Sequence, residues 1–198
     1  MRMFRCITIT VFFMVFVSQT VLAAAREWEV DKPHSNFYFR VDHIFSKVGG
    51  QFNDYNAEVN FDPKNLAESR LFFEIMTDSV DTNIPKRDKH LQSRDFFDAG
   101  KYPTMTFESE KITDVGNNVF EVQGTFTVKG ETYDLILPLT LAGIKDHHFE
   151  KGKEVIGLNG VVTLDRLDYK VGTGKFFERG IVGKDVEILV TIEALSEK

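Results

Sequence analysis

The segment 85–103 gathers cationic, aromatic and histidine side chains, whereas most of the chain alternates polar and apolar residues. Its pattern predicts a short helix near 85–97 that ends before Gly100. Because of their spacings of three and four residues, one face of this helix would carry Arg87, His90, Leu91 and Arg94. Such a face suits the wall of a site for an anionic, apolar ligand. The alternative is an ordinary amphipathic helix that plugs the end of a sheet.

Other residues that could do chemistry are few. The single cysteine, Cys6, lies near the start of the chain, and neither G-x-S-x-G nor H-E-x-x-H occurs. The stretch 172–175 (GTGK) lacks the spacing of a phosphate-binding loop and predicts a turn. Adjacent histidines at 147 and 148 match no zinc signature, so we expect no metal and no catalytic cofactor. Acid–base chemistry by Asp88 with His90 stays open.

The elements that must position these residues are strands, because apolar residues recur at every second position along the chain. Eight such runs are present, and several are 10 to 12 residues long. Residues that favour tight turns separate them, at Gly49-Gly50, Asp62-Pro63, Gly116-Asn117-Asn118, Lys129-Gly130 and Lys151-Gly152. Short turns predict antiparallel pairing, and one apolar face per strand requires the sheet to close on itself. The sequence therefore predicts an all-β fold, an extended antiparallel barrel of about eight strands with a short helical insertion.

Residues 1–25 predict an export signal, with a basic start, an apolar run from Ile7 to Val17 and small residues that place cleavage after Ala23 or Ala25. The remainder, 26–198, has the size of a single domain. The formal net charge of the whole chain is −6 and no basic run is present. Nucleic acid is therefore not an expected partner, since phosphate neutralisation dominates that affinity.

Phenylalanine is unusually frequent, with 19 residues in the chain. Aromatic rings can simply fill a core, but eight strands can also enclose one small ligand. Large rings along a long barrel suit a cavity for an apolar tail.

Motifs along nearly all of the chain that follows the signal resemble one family. They are Trp28-x-Val30-Asp31, His34-Ser35, Gly50-x-Phe52, Asp81-Thr82, Arg87-Asp88-x-His90-Leu91, Asp95-Phe96-Phe97-Asp98, Tyr102-Pro103, Gly124-x-Phe126-Thr127-Val128-x-Gly130 and Ile181-Val182-Gly183-x-Asp185-Val186. In this respect the chain resembles the YceI-like family of exported polyisoprenoid-binding proteins. The segment 164–169 (LDRLDY) departs from the family pattern, in which Asn rather than Asp precedes the arginine.

The resemblance implies a lipocalin-like barrel in the bacterial periplasm that binds, sequesters or transports a polyisoprenoid, a quinone or another long-chain lipid without catalysis. Brief contact with membranes is compatible with this role, and a homodimer is one of the states the sequence leaves open. We expect the tail to contact Phe37, Phe39, Phe73, Phe107, Phe126 and Leu137. We expect the head group near the mouth to meet His34, His43, Arg87, His90 and Arg94. The alternatives are a lipid-modifying enzyme that uses Asp88 and His90, and a structural envelope-stress protein with a filled barrel.

Overall fold

A computed structural model describes residues 24–198, so most of the predicted export signal lies outside the described residues. Eleven strands in this range are connected mostly by short turns and by two longer segments, 82–103 and 166–181, each of which contains a short α-helix. The strands are β1 (Glu27–Val30), β2 (Asn36–His43), β3 (Ser46–Phe52), β4 (Tyr55–Asn60), β5 (Arg70–Met76), β6 (Val80–Asp81), β7 (Thr104–Gly116), β8 (Val119–Val128), β9 (Glu131–Asp146), β10 (Lys153–Asp165) and β11 (Val182–Glu197). The helices are α1 (Pro85–Leu91) and α2 (Lys175–Glu178).

The sheet closes into an antiparallel barrel because β1 pairs with β4 on one side and with β11 on the other. Short interruptions divide three of the barrel strands, which gives the pairs β1 and β2, β3 and β4, and β5 and β6. The two members of each pair lie end to end as one barrel strand. For example, β1 pairs with β4, and β2 then continues the same ladder by pairing with β3. Counted in this way the barrel has eight strands, and the predicted fold class is confirmed.

Most of the predicted turns are confirmed by the backbone. Residues Gly116, Asn117 and Asn118 all have positive φ between β7 and β8, and Lys129 and Gly130 do so between β8 and β9. Consecutive positive φ angles are the geometry of the tight hairpin turns that match strand twist.

The predicted turn at Gly49-Gly50 is wrong, because both glycines lie inside β3. A Cβ atom on Gly50 would come within 2.4 Å of the Phe39 ring, across the ladder on β2. The glycine therefore leaves room for an aromatic ring, and the chain does not reverse there. Two adjacent glycines indicated a turn because their use in packing is invisible in the local sequence.

The barrel interior is packed at one end. Large side chains there are almost completely buried, and the Phe61 and Phe120 rings meet edge to face at a centroid distance of 5.2 Å. This packed half also contains Trp28, Val59, Leu71, Val122, Ile156, Leu158 and Ile192. The Trp28 Nε1 atom donates a hydrogen bond of 2.8 Å to the Phe61 carbonyl, so its one polar atom is satisfied. The opposite half of the barrel is where the cavity lies.

Helix α1 lies at the open half and is shorter than the sequence predicts. It ends at Leu91, and residues 92–97 form successive turns in place of further helix. The Phe97 N–H donates to the Leu91 carbonyl, and the Asp98 N–H donates to the Ser93 carbonyl. Within residues 24–198, no helix has the length and apolar character needed to cross a bilayer.

Candidate functional site: an apolar cavity with a cationic mouth

The open half of the barrel encloses a cavity of about 340 Å³, lined mainly by aromatic and branched aliphatic side chains. All six residues expected to contact a lipid tail lie in its wall: Phe37, Phe39, Phe73, Phe107, Phe126 and Leu137. Their inward orientation follows from strand alternation, which puts every second side chain on the same face.

The cavity is elongated along the strands. On β2 the lining includes Phe37, Phe39, Val41 and His43, at every second position from the packed core to the end of the strand, together with Tyr38. The six residue-to-residue steps from Phe37 to His43 span roughly 20 Å of extended chain. An elongated apolar space of this kind suits a chain-like ligand better than a compact one.

Aromatic contacts hold the wall in place. The Phe37 and Phe73 rings meet edge to face at 5.2 Å, and Phe73 stacks on Phe107 at 6.1 Å. Such pairs contribute about 0.5–1.5 kcal/mol beyond the area they bury. The rings therefore support one another along the wall, and the central space stays open.

Helix α1 brings three of the predicted residues to the mouth of the cavity, namely Arg87, His90 and Leu91. The Arg87 guanidinium donates from Nε to Thr82 Oγ1 and from Nη2 to the Thr82 carbonyl, both at 2.7 Å. Thr82 in turn donates its backbone N–H to Asp88 Oδ1 at 2.9 Å. These bonds fasten the helix to the end of β6.

His90 belongs to an aromatic group at the mouth. Its ring meets Phe96 and Phe176 edge to face, at centroid distances of 5.1 Å and 5.7 Å. His90 Nε2 lies 3.1 Å from Asp95 Oδ2, whereas the Asp88 carboxylate is bonded to Thr82. The acid–base pair of Asp88 with His90 is therefore not formed, as expected for side chains two positions apart on a helix.

The other predicted mouth residues differ in position. His43 lines the cavity where β2 ends. Arg94 lies outside the lining and is exposed, because α1 has already ended and the predicted shared face does not extend that far. His34 also lies outside the lining, in the short turn between β1 and β2. A hydrogen bond of 2.8 Å to Asp31 raises the pKa of the His34 imidazole.

Arg166 is the mouth residue that sequence reasoning missed. It follows β10 directly, lines the cavity and retains only 6% of its exposure. Its Nε donates to the Gly183 carbonyl at 2.9 Å and its Nη1 to the Val171 carbonyl at 2.8 Å. The guanidinium lies 5.8 Å from the Phe96 ring centroid. Burial lowers the pKa of Arg166, although an arginine remains charged at neutral pH.

The loop after Arg166 completes the wall. The ladder between β9 and β10 ends at the pair Leu139–Gly160, and beyond it the two strands no longer pair with each other. Tyr169 lies beside this gap and contacts the rings of Tyr133 and Phe126 at 4.7 Å and 5.6 Å. The loop therefore covers an opening in the barrel, and its Val171 carbonyl holds the Arg166 side chain at the mouth.

Comparisons with known proteins agree with this architecture. A model of the YceI-like domain matches residues 28–194. A UPF0312 protein of Vibrio cholerae is 33% identical over 158 residues, which are 78% of this chain and 82% of the relative. The crystal structure of Burkholderia cenocepacia BcnA superposes with a TM-score of 0.73 at 27% identity, over 85% of this chain and 99% of BcnA.

A more distant structure shares the fold alone. It is a polyisoprenoid binding domain from Saccharophagus degradans, described as implicated in plant cell wall breakdown. Its TM-score is 0.62 at 12% identity, over 87% of this chain and 99% of that domain. The match of the domain model to nearly all described residues is the observation that assigns the family. The chain belongs to the YceI-like family.

Proposed function

We propose that this protein binds an isoprenoid or a similar long-chain lipid without altering it, and so sequesters or carries it in the periplasm. The observation that carries the proposal is the elongated apolar cavity of about 340 Å³, a volume within the range of small-molecule sites. The polyisoprenoid named for the Saccharophagus degradans domain supports the choice of ligand class. Export rests on the signal-like pattern of residues 1–25.

Tail burial gives the binding its strength but little selectivity. A tail of about twenty carbons gains on the order of 15 kcal/mol relative to water, at about 0.8 kcal/mol per methylene. A bilayer offers nearly the same gain, so the cavity competes with the membrane. Selectivity must therefore come from the length of the cavity and from the polar groups at its mouth.

Two alternatives are less well supported. A filled structural barrel does not account for an apolar cavity, because apolar interiors normally pack without voids of this size. A lipid-modifying enzyme that uses Asp88 and His90 lacks the contact between those side chains, since Thr82 and Asp95 are their partners.

Contact with a membrane is part of the proposal and rests on an apolar rim around the mouth. At the tip of the hairpin between β2 and β3, Ile44 is 57% exposed and Phe45 is fully exposed. The Ile44 N–H donates to the carbonyl of Ile181, which lines the cavity, and Phe177 is exposed nearby on α2. We call Ile44, Phe45 and Phe177 the apolar rim. Inserted into a bilayer surface, this rim would bring the mouth to the lipid.

Blocking the cavity tests the proposal. Leu137→Trp combined with Phe73→Trp should abolish recovery of bound lipid, because two indole rings occupy the space of the tail. Both residues are buried in the wall. The measurement is native mass spectrometry with lipid extraction, after expression in the native host.

The matched control is Ile136→Trp, which adds the same ring on the outer, half-exposed face of the same strand. It should retain the lipid in full. Undiminished lipid in the double variant, with circular dichroism that shows a folded barrel, would contradict the proposed site. Turnover of a lipid ester that is lost in His90→Ala would favour the enzyme alternative.

A further inference from the structure

Arg166 presents a buried hydrogen-bond donor that no residue of the described chain satisfies. Its Nη2 is one of two buried side-chain polar atoms without a partner in residues 24–198. The other, Asn36 Oδ1, lies outside the cavity lining. A buried donor without a partner is rare in proteins and costs stability. The donor belongs to a side chain that lines the cavity, so a ligand atom can supply the missing acceptor.

The charge around this donor is also uncompensated. Arg166 makes no ion pair within residues 24–198. The neighbouring Asp165 carboxylate lies 2.6 Å from Lys184 Nζ and accepts the Leu167 N–H as well. It is thus already paired with another cation.

The cavity lining as a whole carries positive charge and no negative charge. It contains the two arginines Arg87 and Arg166 and the histidines His43 and His90, but no aspartate or glutamate. A guanidinium surrounded by apolar groups favours a negatively charged partner, because water no longer screens the attraction. A neutral carbonyl would satisfy the donor but would leave the charge uncompensated.

Resting on the proposed function, we infer that the lipid carries an anionic, oxygen-bearing head group, a phosphate or a carboxylate, that is bound by Arg166. The Nη2 atom donates to one head-group oxygen, while the bonds from Nε and Nη1 to the Gly183 and Val171 carbonyls fix the plane of the guanidinium. Gly172 is required for this position, because a Cβ atom there would come within 2.1 Å of Arg166 Nη1. Arg87 lies in the same mouth as a second cation.

The test compares ligands that share one tail. Four probes carry the same geranylgeranyl chain: the monophosphate, the carboxylic acid, the alcohol and a menaquinone. Calorimetry should show that one or both anions bind the unaltered protein at least tenfold more tightly than the alcohol and the menaquinone, since hydrogen bonds to charged groups are the stronger ones. The preferred anion distinguishes a phosphate from a carboxylate ligand.

Variants assign the preference to one residue. Arg166→Met should reduce the anion preference to less than threefold while the alcohol still binds, and Arg166→Lys should retain part of it. The matched control Arg179→Met removes an exposed cation that follows α2 and lies outside the lining, and it should leave all four affinities unchanged. Nitrogen NMR of the Arg166 guanidinium should show a shift with the anions alone.

The outcomes separate this inference from the proposed function. Equal affinity for the anions, the alcohol and the menaquinone overturns the anionic head group while lipid binding stands. An anion preference that persists in folded Arg166→Met overturns the role of Arg166. If none of the four probes binds, both proposals fail. Should Arg166→Met not fold, the ligand series on the unaltered protein and its NMR shifts still decide the question.

Discussion

At the scale of single residues, Gly50 and Phe39 show how the cavity wall is set. A methyl group on Gly50 would lie 2.4 Å from the Phe39 ring and 2.8 Å from Thr82 Cγ2. Thr82 is buried and is bonded to Asp88 and Arg87, so the ring is the part that can move. The Phe39 ring lines the cavity, and its displacement would change the space for the tail.

Gly50→Ala should therefore destabilise the protein by about 1–3 kcal/mol, as overpacking in a close-packed interior does. It should also weaken binding of the lipid. Urea unfolding and lipid titration measure the two effects. Gly100→Ala is the control, because a Cβ atom there meets nothing within 4 Å, and it should change neither quantity. Unaltered stability in Gly50→Ala would show that the ring relaxes without cost.

At this scale, sequence reasoning located side chains correctly where strand alternation determines which face of the sheet they point to. It placed Phe37, Phe126 and Leu137 in the wall because they share the inward parity of their strands. Arg166 has the same parity, since it continues the series Val162 and Leu164. That signal was present, but a charged residue at the end of a strand normally indicates solvent. The loop that buries Arg166 is held by ring contacts of Tyr169 with β8 and β9, which local sequence does not encode.

At the scale of elements, α1 ends early because the residues after it have separate partners. The Phe96 ring packs beside His90 and Phe176, while Phe97 meets Phe52 at 5.7 Å. A continuous helix would point two consecutive side chains about 100° apart, whereas turns can direct each ring to its own neighbours. The prediction of the helix relied on residue spacing alone, so it placed Arg94 on the same helix face as Arg87 and His90.

The hairpin between β2 and β3 carries the most exposed part of the apolar rim. Phe45→Ser should lower association with vesicles and slow lipid delivery to them, because a fully exposed ring contributes most to insertion. Vesicle flotation and a fluorescence transfer assay measure the two effects. The affinity for lipid in the cavity should not change, since Phe45 lies outside the lining.

Phe149→Ser provides the matched control. Phe149 is 86% exposed in the loop between β9 and β10, at the end of the barrel opposite Arg166. Loss of this ring should leave vesicle association unchanged. Equal losses in the two variants would indicate general surface adhesion and would contradict docking through the mouth.

At the scale of the whole molecule, the packed core and the cavity occupy different halves of one barrel. Phe61 is 1% exposed in the packed half, whereas Phe126 is only partly buried in the cavity wall. Phe61→Ala should cost about 3–5 kcal/mol in the free energy of unfolding, the range for a fully packed phenylalanine. Phe126→Ala should cost clearly less, because its ring already borders open space.

Denaturant unfolding of the lipid-free protein measures this difference. Bound lipid should then raise the stability of the unaltered protein and of Phe61→Ala by similar amounts, since a ligand stabilises the state it binds. Similar costs for the two variants in lipid-free protein would contradict the division into a packed half and an open half. The sequence predicted the closed barrel. The alternation of polar and apolar residues is the same in both halves of the barrel, however, so it could not predict where the packed core ends and the cavity begins.

In the proposed carrier role, the packed half of the barrel also determines how the lipid is exchanged. Side chains such as Phe61, Ile156 and Ile192 close the far end of the barrel, so a bound chain has to withdraw through the entrance it used. The last carbons to enter are the first to leave, and the polar group faces both the donor and the recipient surface. A molecule with a bulky group at each terminus cannot be accommodated. A carrier built in this way would deliver its lipid in the orientation in which it was collected.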